Sequence, residues 1–104
     1  MITKRVLEAG RVRCVPRQFS WVDQRLVHDG YLGRCDTAAM ALYLMLVTVG
    51  DAQGLSYYSD RRTACLTHLS AEELVAARER LQAADLIAHE APLYQVLALP
   101  EGVA

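Results

Sequence analysis

The stretch Ser59 to Leu99 decides the fold. It reads Ser59-Asp60-Arg61-Arg62-Thr63-Ala64-Cys65-Leu66-Thr67-His68-Leu69, then Ser70-Ala71-Glu72-Glu73-Leu74, and it closes on Leu86-Ile87-Ala88-His89-Glu90, Ala91-Pro92 and Leu93-Tyr94-Gln95-Val96-Leu97-Ala98-Leu99. Ser59 or Asp60 caps a short helix over about Arg61 to Leu69. Ser70 caps a second helix, with Glu73 three residues on and able to reach back to the Ser70 amide. Glu72 and Glu73 also suit the positive end of that helix. Leu74, Ala77 and Leu81 recur at helical spacing and predict its core face. Arg78 borders that face, where its stem could brace the following strands. Two short apolar strands follow, joined by Ala91-Pro92 rather than by the Asn-Gly of a two-residue hairpin.

Upstream, Asp36 is a candidate N-cap for a helix from Thr37 to about Ala52, ended by Gly54. Its apolar residues lie all round, which predicts burial on most sides. Leu55-Ser56-Tyr57-Tyr58 is then a short extended link. Ahead of the Thr37 helix, Phe19 to Leu32 is helix or extended, with Val22, Leu26 and Val27 favouring a short helix. Residues 1–18 read as a basic arm with a short helix over Thr3 to Ala9, and residues 19–104 as the folded domain. Phe19 and Trp21, the chain's only Phe and Trp, are expected to pin the arm to the core.

Composition bounds the alternatives. A chain of 104 residues with 53% hydrophobic and 22% charged content is one globular domain, not a disordered segment. The longest apolar run, Ala38 to Val49, falls short of the roughly 20 residues needed to span a bilayer, and no signal-peptide pattern opens the chain. Cys14, Cys35 and Cys65 are odd in number and lack a CxxC spacing, so reduced thiols in a cytoplasmic protein are expected, with no disulfide framework, metal or cofactor. Net charge is −1, but residues 1–34 carry +4 and residues 35–104 carry −5. A basic leader on an acidic body suits nucleic acid, or equally the body of a second copy.

The helix–turn–helix–hairpin order, with Ala41-Leu42-Tyr43-Leu44, Gly54-Leu55-Ser56-Tyr57-Tyr58, the capped Ser70 helix and Asp85-Leu86-Ile87-Ala88, resembles the winged helix-turn-helix superfamily. More narrowly, residues 20–99 look like the N-terminal domains of bacterial and phage replication-initiation and replisome-organiser proteins of the DnaD-like group. The fold class so implied is mainly α with a small β hairpin. The resemblance implies duplex DNA as partner, a homodimer, and a role in replication, transcription or mobile-element control. Three departures stand out: Asp85 replaces a usual Gly or Asn, the His68-Leu69-Ser70 turn lacks glycine, and the wing from His89 to Leu93 holds no Lys or Arg.

Major-groove reading places the start of the second helix against bases, between two rows of phosphate. Glu72 and Glu73 are poorly suited to that position, although a Glu can accept from cytosine. The expected DNA contacts are therefore Arg61, Arg62 and Arg80, with Arg11, Arg13 and Arg17 of the arm. The bland reading of each is a solvated surface charge, or a partner for the chain's many acids. The alternative function is a module for protein–protein interaction or dimerisation that docks a partner on the acidic helix and apolar hairpin. Cys65 and His68 lie one turn apart, Asp23, His28 and Asp29 lie close in sequence, and Tyr43, Tyr57, Tyr58 and Tyr94 carry rings suited to stacking. Core, capping and surface roles account for all of these better than a metal site, a nucleophile pair or an acid–base cluster. No enzyme is expected.

Overall fold

The computed structural model describes residues 3–100. Its elements are α1 (Arg25–His28), α2 (Thr37–Val49), β1 (Leu55–Tyr57), α3 (Asp60–Thr67), α4 (Ala71–Ala83), β2 (Ile87–Glu90) and β3 (Leu93–Val96), with 3-10 turns at Ala9–Arg11 and Tyr31–Arg34. The architecture is mixed α+β, four helices on a three-stranded antiparallel sheet of order β1-β3-β2.

Local chemistry sets the boundaries. The Asp36 side chain accepts from the Ala39 amide at 2.9 Å and starts α2. This helix ends at Gly50, earlier than the sequence pattern suggests. Asp51 stops it, because its Oδ1 accepts from the amides of Gln53 at 2.8 Å and Leu55 at 2.9 Å and so builds a competing turn. Gly54 closes that turn at φ +82° and leads into β1. Thus the extended link is a full strand: Leu55 pairs with Gln95 and Tyr57 with Leu93, which enlarges the expected hairpin to a sheet.

The core forms where α2 crosses α4 above the sheet. Leu42 and Leu46 of α2 meet Leu74, Ala77 and Leu81 of α4, with Leu86, Ile87 and Tyr94 beneath. Burying each of the leucines contributes roughly 1.5–3 kcal/mol, so these few side chains dominate the stability of a small domain. Burial of α2 is one-sided, contrary to its all-round apolar pattern. Leu44 is 63% exposed and Met40 38%, because one face of α2 has no neighbouring element.

The leader departs further from expectation. Thr3 to Ala9 form no α-helix; a single 3-10 turn lies at Ala9–Arg11 instead. Residues 3–22 are exposed throughout. Phe19 and Trp21 do not pin the arm to the core, being 63% and 73% exposed. The tether is polar: Ser20 Oγ donates to the Thr48 carbonyl of α2 at 3.0 Å. Among the described residues no helix is long and apolar enough to cross a membrane.

Candidate nucleic-acid interface

The helix pair α3–α4 is built by its caps. Ser59 Oγ accepts from the Arg62 amide at 3.2 Å, and Thr63, fully buried, donates its hydroxyl to the Ser59 carbonyl at 2.8 Å. The turn works without glycine because His68 itself takes the left-handed conformation, at φ 59°. At Ser70 both halves of the capping box are present, at 2.9 Å and 3.0 Å. Glu73 is therefore occupied with its own helix terminus. Asp85, at φ 62°, fills the left-handed position after α4, a geometry that Asp tolerates better than most residues.

Arg78 holds the pair against the sheet. Its Nη1 donates to Asp60 Oδ1 of α3 at 2.8 Å and to the Tyr94 hydroxyl of β3 at 2.9 Å. Burial works to lower the Arg78 pKa, but the hydrogen bonds with Asp60 and Tyr94 outweigh it and push the pKa up, so the charge is secure. Tyr94 in turn sits between Ser56 and His89 in the register of the sheet. The His89 ring lies 4.4 Å from that of Tyr94, and both His89 Nε2 and Ser56 Oγ are buried without a hydrogen-bond partner. Burial lowers the His89 pKa, and the nearby Arg78 charge lowers it further against a smaller opposing pull from Asp60.

The six arginines expected to contact DNA are all exposed, and among the described residues none bridges to a carboxylate. The two ion pairs among the described residues use other arginines, Arg78 with Asp60 and Arg25 with Asp23. Arg61 and Arg62 open α3, and Arg80 lies in the last turn of α4. Arg62 also rests over the Tyr58 ring, 5.8 Å from its centroid. Arg11, Arg13 and Arg17 are carried on the exposed leader. The outward side of α4 is different in kind. Ala71, Glu72, Val75, Ala76 and Glu79 line a shallow depression without a cation, and Val75 is 41% exposed.

Among the minor constellations, Asp23 has a structural role. Asp23 caps and pairs with Arg25, accepting from its amide at 2.9 Å and its guanidinium at 2.7 Å, and these bonds hold the Asp23 carboxyl below its ordinary pKa. Cys65 and His68 are both exposed, and no cluster of metal-ligating residues occurs among the described residues. Tyr43 and Tyr94 are buried, whereas Tyr57 is 73% exposed. Two features escaped the sequence reading: the Asp60–Arg78–Tyr94 link, whose members lie far apart in the chain, and a cleft of about 550 Å³ between the Phe19–Arg25 segment, the end of α2 and the tail after β3. No family model matches the chain, and neither a curated protein nor a solved structure matches it.

Proposed function

We propose that this chain is a winged-helix protein that binds duplex DNA, with α3 and α4 as the helix pair, β2–β3 as the wing, and a phosphate-gripping set of Arg61, Arg62, Arg80, Arg11, Arg13 and Arg17. The element order and the β1-β3-β2 sheet support the fold. One observation carries the function: these six guanidinium groups stay exposed and, among the described residues, form no ion pair with a carboxylate. Such groups neutralise phosphates and release counterions, which yields sequence-independent, salt-sensitive binding.

Glu72 and Glu79 on the outward face of α4 make base reading by this helix unfavourable, so the duplex is gripped by its backbone. Few contacts per chain make a homodimer the effective unit, since two copies double the cations. The test is a titration of a labelled random duplex at about 50 mM salt, repeated on a chain lacking residues 1–18. Binding in the micromolar range that weakens with salt and with loss of the arm is expected. No binding at high micromolar protein ends the proposal.

A second reading follows from the cation-free depression on α4. There the same fold docks a basic, apolar protein segment through Val75, flanked by Glu72 and Glu79. Recovery of a stable protein partner that Val75→Arg abolishes, together with absent duplex binding, selects this reading instead.

A further inference from the structure

Trp21 and Phe19 stand two positions apart, they are the only residues of their kinds, and both are exposed, at 73% and 63%. Single exposed apolar residues are ordinary on protein surfaces. Two large exposed aromatic residues only two positions apart are not: each is costly to leave in water and rich in flat apolar area. Their spacing follows from the chain. Two residues of backbone span at most about 7 Å, so both rings serve one small ligand or adjacent groups of one polymer. Ser20 between them is fixed to the Thr48 carbonyl at 3.0 Å, which anchors the segment on α2.

Immediately before the rings lie Arg11, Arg13 and Arg17, and residues 9–22 contain no acid. Two carboxylates that line the cleft beside the rings are already engaged. Asp23 is paired with Arg25 at 2.7 Å, and Asp51 Oδ1 accepts two backbone amides. Alongside, Phe19 and Trp21 line the 550 Å³ cleft, whose walls are mostly apolar. Cations that follow a phosphate chain, next to aromatic faces that take bases, are the two parts of a single-strand binding surface.

We propose that Phe19 and Trp21 form a stacking platform for the unpaired bases of single-stranded DNA, with Arg11, Arg13 and Arg17 along its phosphates. This rests on the assignment of the arm arginines to phosphate made above and adds a second form of the nucleic acid. A duplex keeps its base faces covered, so the rings engage only where strands are separated. The platform is thereby selective for structure and indifferent to sequence, because every base has a π-face.

Trp21 reports directly on the contact, since it is the only tryptophan. The experiment titrates the full chain with an oligodeoxythymidylate of about a dozen nucleotides, within the range of single-strand sites. It follows Trp21 fluorescence and the anisotropy of a labelled strand, with an unlabelled random duplex in a parallel series. Saturable quenching is expected, and Phe19→Ala should weaken strand binding about five- to hundred-fold with Trp21 still reporting. Trp21→Ala should weaken it similarly by anisotropy, while both variants bind duplex as before.

Strand binding without quenching, or with unchanged affinity in both variants, overturns the platform. Duplex binding without strand binding overturns it and leaves the duplex reading standing. Strand binding with quenching but no duplex binding upholds the platform and removes the duplex reading. A Trp21 spectrum that shifts with protein concentration alone assigns the rings to contacts between copies and overturns the proposal.

Discussion

Arg78 of α4 reaches Asp60 at the start of α3, with 2.8 Å between Nη1 and Oδ1. The same nitrogen also meets the Tyr94 hydroxyl at 2.9 Å, so one guanidinium ties both helices to the central strand. Its side chain is 13% exposed and that of Asp60 59%, which makes the ion pair itself a minor contributor. The larger effect lies in the packed stem and the Tyr94 hydroxyl. Arg78→Ala should therefore cost about 2 kcal/mol in urea unfolding, and Asp60→Asn under about 1 kcal/mol. Equal losses in the two variants would place the energy in the charge pair instead.

His89 gives the fold an acid sensitivity. Its pKa is lowered in the folded chain by burial and by Arg78, so the unfolded chain takes up the proton first. Stability from this site is complete above the unfolded imidazole value of about 6.5 and declines as pH falls below it. Urea midpoints measured at pH 7.5 and pH 5.5 should differ, with the lower at acid pH. His89→Gln should remove part of that difference; an unchanged pH dependence would locate it elsewhere.

Gly54 has no tolerable substitute. A Cβ there would stand 2.5 Å from the Val96 carbonyl oxygen, at a backbone φ of +82° that side chains rarely adopt. The Val96 amide also donates to the Gly54 carbonyl at 2.8 Å, so the strand cannot simply withdraw. Gly54→Ala should cost about 3 kcal/mol or more, from backbone strain and the steric clash together. Gly33→Ala, where a Cβ meets nothing within 4 Å, provides the matched control and should stay within about 1 kcal/mol.

Duplex binding, where it occurs, should be divisible by charge. Each of Arg61→Ala, Arg62→Ala and Arg80→Ala should reduce the slope of log affinity against log salt by about 0.9 per lost phosphate contact. Glu72→Gln should hold or tighten binding, since it removes repulsion without removing a contact. A loss of affinity with Glu72→Gln larger than with Arg61→Ala would instead make α4 a base-reading helix.

How much could be read beforehand depended on the range of the physics involved. The caps at Asp36, Ser59 and Ser70 and the Leu74, Ala77, Leu81 face are short-range signals, and each appears in the structure. The early end of α2 was hidden because Asp51 acts through an Asx turn that competes with helix propensity. Phe19 and Trp21 depart from the sequence expectation for a different reason: hydrophobicity says a ring should be covered, but only tertiary structure says whether anything is there to cover it. Periodicity puts Arg78 at the border of the core, whereas its two partners lie 18 and 16 positions away and leave no local trace.

The order of the sheet has a consequence for how the chain comes together in time. Its middle strand, β3, is the last of the three to be synthesised, and Leu55 of β1 waits for Gln95, 40 positions later. Until β3 arrives, β1 and β2 have no partner, and each presents an unpaired row of backbone amides and carbonyls. Helices α3 and α4 are joined by a short turn and can pack on α2 before the sheet is complete. The sheet then closes in one insertion, with Tyr94 sliding between Ser56 and His89 as its bolt. A nascent chain halted before Leu93 would hold assembled helices and two raw edges, the form in which this protein is most open to pairing with the wrong strand.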